Sequence, residues 1–139
     1  MKKGYKQLLA EADAIIETLS LDQAAKLLGQ EETVFVDIRE KGELRREGVI
    51  PGAVHAPRGM LEFWFDPESP YYRDVFSPDK KFVLFCAASW RSALAVKSLV
   101  EMGMENIVHF EGGFDAWKQA GLPVEAYSSS KIPSNQEAD

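Results

Sequence analysis

Buried-strand patterns alternate with amphipathic-helix patterns along the chain, and this alternation narrows the choice of fold more than any other feature. Helical patterns separate three apolar runs: TVFVDI at 33–38, KFVLFC at 81–86 and NIVHFEG at 106–112. Strands that are apolar on both sides are typical of parallel sheets whose two faces are covered by helices. The sequence therefore predicts an α/β fold with right-handed crossovers and ligands at the carboxyl ends of the strands.

The size and charge of the chain limit its organisation and its partners. The 139 residues suit one domain, and 22 acidic against 16 basic side chains argue against a nucleic-acid partner. The N-terminus has no apolar stretch of signal-peptide length, and no run is long enough to span a membrane. We therefore expect a cytoplasmic protein with no membrane partner, and its single cysteine excludes an internal disulfide.

The two ends of the chain differ from its middle. Residues 5–14 carry a short amphipathic helical pattern, which predicts a helical N-terminal extension over residues 1–14. Residues 127–139 contain almost nothing that a core could bury, so we expect a disordered tail there.

The only cysteine, Cys86, ends a buried strand and precedes a loop of small residues and a helix. An ordinary thiol is mostly protonated at neutral pH, whereas the thiolate is the nucleophile. The helix N-terminus and Arg91 both favour the anion. The small residues at 87–89 allow successive backbone N–H groups to point inward as an anion nest. The pattern predicts a reactive thiolate, against the alternative of a cysteine that only packs.

The segment CAASWRSALA, which begins at Cys86, resembles the active-site loop of rhodanese-like sulfurtransferase domains. Other motifs agree with that family: VFVDIRE, followed by Glu43 and GVIPGAVHAP, and later FEGGFDAWKQAGLPVE. Together they cover roughly residues 15–126. The resemblance implies a single rhodanese-like domain over that range, with a five-stranded parallel sheet flanked by helices on both faces.

The resemblance also implies an enzymatic activity and a set of site residues. Cys86 would take a sulfur from a small anionic donor such as thiosulfate, become a persulfide, and pass the sulfur to cyanide or a thiol. Because the chain has no second cysteine, the acceptor must be external, for example a small thiol or a thioredoxin-like protein. No cofactor is implied. The substrate-binding residues would be Ala87, Ala88, Ser89, Trp90, Arg91 and Ser92.

Two other functions fit the same loop. Tyrosine and dual-specificity phosphatases carry Cys-x5-Arg, whereas four residues separate Cys86 from Arg91 here. Phosphate needs room for its oxygens beside the nucleophile, so the shorter loop favours sulfur over phosphatase or arsenate reductase chemistry. The remaining alternative is a non-catalytic anion-binding or interaction module.

Other residues have structural and functional interpretations. Arg58, just past a strand end, either helps to hold an anionic donor or is an ordinary surface arginine. Trp90 either lines the mouth of the site, where it could meet a partner protein, or packs at the start of the helix; the mouth is favoured because the inner stripe of the helix does not need it. Asp37 and Arg39 end a buried strand and are expected to form a structural ion pair. The aromatic segment at 61–76 either packs in the core or forms a flap or a homodimer surface.

The two histidines do not predict a metal site. His55 and His109 lie 31 and 23 residues from Cys86, and these separations match no compact set of ligands. His55 is expected to be a hydrogen-bonded turn residue.

Overall fold

A single sheet organises residues 1–128, which are the residues that the structure, a computed structural model, describes. The strands in chain order are β1 (Glu17–Leu19), β2 (Thr33–Asp37), β3 (Val54–His55), β4 (Lys81–Phe85) and β5 (Ile107–Phe110). All neighbouring pairs are parallel, in the order β1-β5-β4-β2-β3. This sheet confirms the predicted α/β fold.

In residues 1–128, six α-helices precede, connect and follow the strands, and they cover both faces of the sheet. They are α1 (Tyr5–Asp13), α2 (Leu21–Leu27), α3 (Lys41–Glu47), α4 (Leu61–Phe65), α5 (Trp90–Glu101) and α6 (Gly113–Gln119). Within the described residues, no helix has the length and apolar character needed to cross a membrane. The predicted disordered tail, 127–139, lies outside the described residues from position 129 onward.

Local sequence signals account for where two of the helices, α2 and α3, begin. The Ser20 hydroxyl accepts the Gln23 N–H, and the Gln23 side chain accepts the Ser20 N–H, so α2 starts with a capping box. Glu40 and Glu43 make the same reciprocal arrangement at the start of α3. This second box fixes the Glu43 side chain at the first turn of α3.

The alternating direction of side chains along each strand divides the buried side chains between two apolar cores, one on each face of the sheet. Val36, Leu84 and Cys86 belong to the core beneath α4 and α5. Phe35 and Phe85 belong to the core beneath α2 and α6. Successive side chains of a strand point to opposite faces of the sheet. The Cys86 side chain therefore projects toward the α5 side.

The aromatic segment at 61–76 is partly core and partly surface. Trp64, Phe65 and Phe76 are buried, and the Phe65 and Phe76 rings stack with centroids 4.3 Å apart. Phe63 and Tyr71 are exposed. The inner aromatic side chains extend the core beyond α4, and the outer two remain on the surface.

Candidate active site

Cys86 lies directly after β4, the middle strand of the sheet, and is only 1% exposed. Its Sγ is 3.6 Å from the hydroxyl oxygen of Ser92, which is in the first turn of α5. The thiol is therefore held between a strand end and a helix start, the arrangement that the apolar run and the helical pattern predict.

The loop after Cys86 is held from behind by α6. The carbonyl oxygens of Cys86 and Ala87 accept the backbone N–H groups of Phe114 and Asp115 at 2.8 and 2.9 Å. In a trans peptide the carbonyl and the following N–H point in opposite directions. The N–H groups of Ala87 and Ala88 therefore point away from α6.

A run of backbone donors has no protein partner beside the thiol. Within residues 1–128, the N–H groups from Ala87 to Ser92 donate no hydrogen bond to a protein atom, and the α5 ladder begins with Ala93 N–H to Ser89 O at 3.0 Å. Unpaired N–H groups at a helix start carry positive partial charge. The loop thus offers several donors to an anion.

The close approach of α6 to the loop depends on Gly113. Its φ is +56°, and a Cβ atom there would lie 2.4 Å from the Ala88 carbonyl oxygen and 2.5 Å from that of Cys86. Only glycine tolerates both the positive φ and this contact. The second glycine of the EGG motif therefore has a physical role in fixing the cysteine loop.

Arg91 is paired with Glu43 of α3. Its Nη1 and Nη2 each donate to one Glu43 carboxylate oxygen at 2.9 Å. Arg91 hydrogen bonding lowers the pKa of Glu43 from its ordinary 4.5 to about 2. The same contact raises the pKa of Arg91, with a smaller electrostatic contribution from Cys86. The sequence analysis did not identify this partner because α3 and α5 are far apart in the chain.

A chain of side-chain hydrogen bonds leads from the thiol across the sheet. Ser92 Oγ is 2.8 Å from His109 Nδ1, and His109 Nε2 is 2.9 Å from Thr18 Oγ1. Thr18 and His109 are register partners on β1 and β5, so their side chains share one face. Sequence analysis considered His109 only as a metal ligand. The sequence feature that could have pointed to a structural role for His109 is its position as a polar residue within an apolar strand.

The structure holds Arg58 and the histidines in other contacts. Arg58 Nη1 donates to Glu62 at 2.9 Å, and Glu62 also accepts the Ser98 hydroxyl of α5. Within residues 1–128 no hydrogen bond joins Arg58 to the cysteine loop. His55 is in β3, with Nε2 2.6 Å from the Arg39 carbonyl. In that part of the chain no group of three or more His, Cys, Asp or Glu residues could hold a metal ion.

Asp37 and Arg39 form a buried ion pair at the end of β2. Arg39 Nη2 donates to Asp37 Oδ2 at 2.7 Å and to the Gly48 carbonyl at 2.9 Å. The guanidinium also lies 4.0 Å from the Phe114 ring centroid. Because Phe114 N–H binds the Cys86 carbonyl, this pair supports the helix that holds the loop.

Trp90, the first residue of α5, is 59% exposed beside the loop. Its ring lies 5.0 Å from the ring of Tyr5 in α1. The N-terminal helix, which the sequence analysis treated as an extension, therefore reaches the surface around the cysteine loop.

Comparison with known proteins identifies the domain. The sequence profile of the Rhodanese-like domain matches residues 20–120. The chain belongs to the rhodanese-like domain family. A rhodanese-like relative is thiosulfate sulfurtransferase GlpE of Pseudoalteromonas translucida, which is 29% identical over 73% of this chain and 89% of its own length. An uncharacterized protein of Synechocystis is 36% identical over 77% of this chain, which spans only 55% of that protein.

Solved structures contain the same rhodanese-like fold. A Rhodopseudomonas palustris protein of unknown function, described as a possible tyrosine phosphatase, superposes with a TM-score of 0.87 and is 49% identical, covering 90% of this chain and 96% of its own. The polysulfide-sulfur transferase homodimer of Wolinella succinogenes superposes with a TM-score of 0.70 and is 33% identical, covering 90% and 89%. Sulfur transfer and a possible phosphatase activity are thus both attributed to similar proteins.

Proposed function

We propose that this rhodanese-like domain is a sulfurtransferase that moves a sulfane sulfur through a persulfide on Cys86. The Cys86 thiolate attacks the outer sulfur of thiosulfate or a similar donor, and a new S–S bond forms. The donor S–S bond breaks, and its electron pair leaves with sulfite. An acceptor nucleophile then attacks the outer sulfur of the persulfide and releases Cys86 as a thiolate.

The observation that carries this proposal is the position of Cys86 beside unpaired backbone donors. The N–H groups from Ala87 to Ser92 have no protein partner within residues 1–128, and α6 fixes the loop that presents them. A persulfide anion extends about one S–S bond, roughly 2 Å, beyond Sγ. The loop donors and the first turn of α5 are suited to stabilise that charge as it forms.

The burial of Cys86 sets a condition on the reaction. A thiol that is 1% exposed cannot meet a donor until neighbouring groups shift. Arg91, just after the loop, is paired with Glu43. The Arg91 side chain is 40% exposed and the Glu43 side chain is 21% exposed. Opening of this pair would free a guanidinium for an anionic donor.

The alternative of a phosphatase is favoured by the possible activity of the Rhodopseudomonas palustris protein. For ordinary alcohol leaving groups a phosphatase needs a protonated acid. The Glu43 carboxyl, which binds Arg91, has a pKa lowered to about 2 and therefore stays ionised at neutral pH. Sulfite leaves without a proton, so this arrangement suits sulfur transfer better.

The acceptor in the proposed reaction is external. Cys86 is the only cysteine of this sequence, so no resolving thiol is present to form a disulfide with the persulfide. Cyanide would serve in an assay, and a small thiol or a thioredoxin-like protein would serve as a biological acceptor.

Intact-mass measurement after incubation with thiosulfate tests the proposal. We expect a gain of about 32 Da, one sulfur, that is removed by cyanide or by a reductant. Cys86→Ser should show no gain, because the hydroxyl is not a sulfur nucleophile at neutral pH. The same preparations should be assayed with thiosulfate plus cyanide and with an aryl phosphate.

Each result has a distinct meaning. A cyanide-removable adduct and thiocyanate production that both depend on Cys86 support sulfur transfer. Turnover of the aryl phosphate alone would replace the proposal with a phosphatase. An absence of adduct and of both activities in a folded protein, judged by its cooperative melting, would favour a non-catalytic anion-binding or interaction module.

A further inference from the structure

We propose that Ser92, His109 and Thr18 form a path that carries the proton of the Cys86 thiol to the protein surface. The inference rests on the proposed function in one respect: Cys86 must ionise before it attacks a donor. Ser92 contacts the reacting sulfur, whereas His109 and Thr18 are positioning residues that act through Ser92.

The burial of the thiol creates the need for such a path. Cys86 is 1% exposed and Ser92 is fully buried, so bulk water does not reach the sulfur directly. The connected atoms are Cys86 Sγ, Ser92 Oγ at 3.6 Å, His109 Nδ1 at a further 2.8 Å, and Thr18 Oγ1, 2.9 Å from His109 Nε2. Each of these contacts joins a different element of the fold, so the chain is a tertiary feature.

When Cys86 is a thiol, the hydrogen bonds can all run outward. The S–H donates to Ser92 Oγ, and His109 Nε2–H donates to Thr18 Oγ1. The single Ser92 hydroxyl proton goes to His109 Nδ1 at 2.8 Å, which is nearer than its other acceptor, the Ser89 carbonyl at 3.2 Å. Burial lowers the pKa of His109, with Asp13 opposing this effect, so the imidazole is neutral and can accept at Nδ1.

Ionisation of the thiol reverses the direction of these hydrogen bonds, because each proton moves to the next residue along the path. The Cys86 proton passes to Ser92 Oγ, the Ser92 proton to His109 Nδ1, and the Nε2 proton to Thr18 Oγ1, whose own proton goes to water. The thiolate then accepts a hydrogen bond from the Ser92 hydroxyl. The imidazole is neutral before and after, but its tautomer has changed from Nε2–H to Nδ1–H.

The outer end of the path reaches solvent. Thr18 is exposed, and it lines a surface pocket of about 320 Å³ together with Asp13, Ser89, His109, Glu111 and Gly112. The pocket has room for several water molecules. A proton delivered to Thr18 can therefore leave to the water of this pocket.

Charged groups face the path from several elements. Asp13 of α1 and Glu111 after β5 line the outer pocket, where negative charge favours arrival of a proton. Arg91 of α5 interacts electrostatically with Cys86 at the inner end, and Glu43 of α3 neutralises part of that charge. A positive charge thus lies near the inner end of the path, and negative charges line its outer end.

The tautomer of His109 provides the test. We would label the two histidines of the full chain with ¹⁵N and follow their ring nitrogens by NMR as the pH is raised from neutral into the alkaline range. We expect His109 to change from Nε2–H to Nδ1–H. His55 is an internal reference, since its Nε2 faces a carbonyl that can only accept and should stay protonated.

Two variants test the proton path independently of sulfur transfer. In Cys86→Ala the His109 tautomer should not change over the same pH range, and in Ser92→Ala it should no longer follow the thiol. An unchanged tautomer in the wild-type protein, or a change that persists in Cys86→Ala, would overturn the path. Neither outcome depends on persulfide formation, which the mass measurement tests separately.

Alkylation with neutral iodoacetamide gives a second readout. Loss of a hydrogen bond to a charged group should slow Cys86 alkylation at neutral pH by about tenfold in Ser92→Ala. Ser98→Ala is the matched control, because Ser98 is on the same helix but donates to Glu62. Equal rates in the two variants would show that Ser92 does not stabilise the thiolate.

Discussion

Arg91 and Glu43 are joined by two parallel hydrogen bonds of 2.9 Å, one from each terminal guanidinium nitrogen. The cation that follows the cysteine loop is therefore oriented by a carboxylate of α3. Fork-to-fork pairs of this kind are geometrically specific. The position of Arg91 near the thiol thus depends on α3, and its charge is partly neutralised until that pair opens.

The charge of Arg91 should affect the rate at which Cys86 reacts with an anionic alkylating reagent more than the rate with a neutral one. Arg91→Ala should slow the reaction of Cys86 with anionic iodoacetate about fivefold more than that with neutral iodoacetamide, because one favourable charge is lost. High salt should reduce this difference. Arg58→Ala is the control, since Arg58 is paired with Glu62. A rate ratio that changes with Arg58 and not with Arg91 would contradict the assignment.

The Arg91–Glu43 pair should contribute to stability in a defined pH range. The pKa of Glu43 is depressed from 4.5 to about 2, so its contribution is present above pH 4.5 and is lost as the pH falls through about 2. Because both side chains are partly exposed, we expect Glu43→Gln to cost about 1 kcal/mol at neutral pH. Urea unfolding should show this difference shrinking in acid, and a difference that stays constant would exclude the linkage.

Gly113 should be far more sensitive to substitution than another glycine with positive φ. Gly113→Ala combines left-handed strain with a Cβ at 2.4 Å from a carbonyl oxygen, so we expect a loss of about 3 kcal/mol. Gly121→Ala has a φ of +74° but open space, and should lose only about 1 kcal/mol. Chemical denaturation measures both. Equal losses would mean that α6 does not press on the loop.

Trp90 should affect transfer to a protein acceptor more than transfer to a small one. It is 59% exposed beside the loop, and tryptophan often contributes strongly where proteins meet. Trp90→Ala should slow sulfur transfer to a thioredoxin-like protein about tenfold and leave transfer to cyanide unchanged. Phe63→Ala, at a similarly exposed aromatic residue of α4, is the matched control. If cyanide transfer fell equally, Trp90 would belong to the chemical step.

The features predicted from sequence are those with local causes. The apolar strands at 33–38 and 81–86 and the helices between them predict a parallel sheet, and the structure confirms that fold. Cys86 lies at a strand end because the apolar run stops there and a helical pattern follows. Both predictions depend on neighbours in the chain, where periodicity is informative.

The contacts that sequence analysis missed all depend on the order of the strands and on helix placement. His109 meets Ser92 because β5 lies beside β4, and Thr18 completes the chain because β1 lies beyond β5. Neither neighbour relation follows from periodicity. Glu43 meets Arg91 across two helices for the same reason. The cysteine loop at the end of a strand was predictable from the sequence, whereas the side chains that hydrogen-bond to its residues were not.

Because α6 holds the cysteine loop, the loop can be fixed only after the C-terminal part of the domain has been synthesised. A ribosome synthesises Cys86 before the segment at 107–119, which supplies both β5 and the N–H groups that fix the loop. Until that segment docks, the carbonyls of Cys86 and Ala87 lack the α6 donors that hold the loop. Truncation of the chain at 101–107 would therefore leave the sequence of the cysteine loop intact but remove the helix that holds it in place.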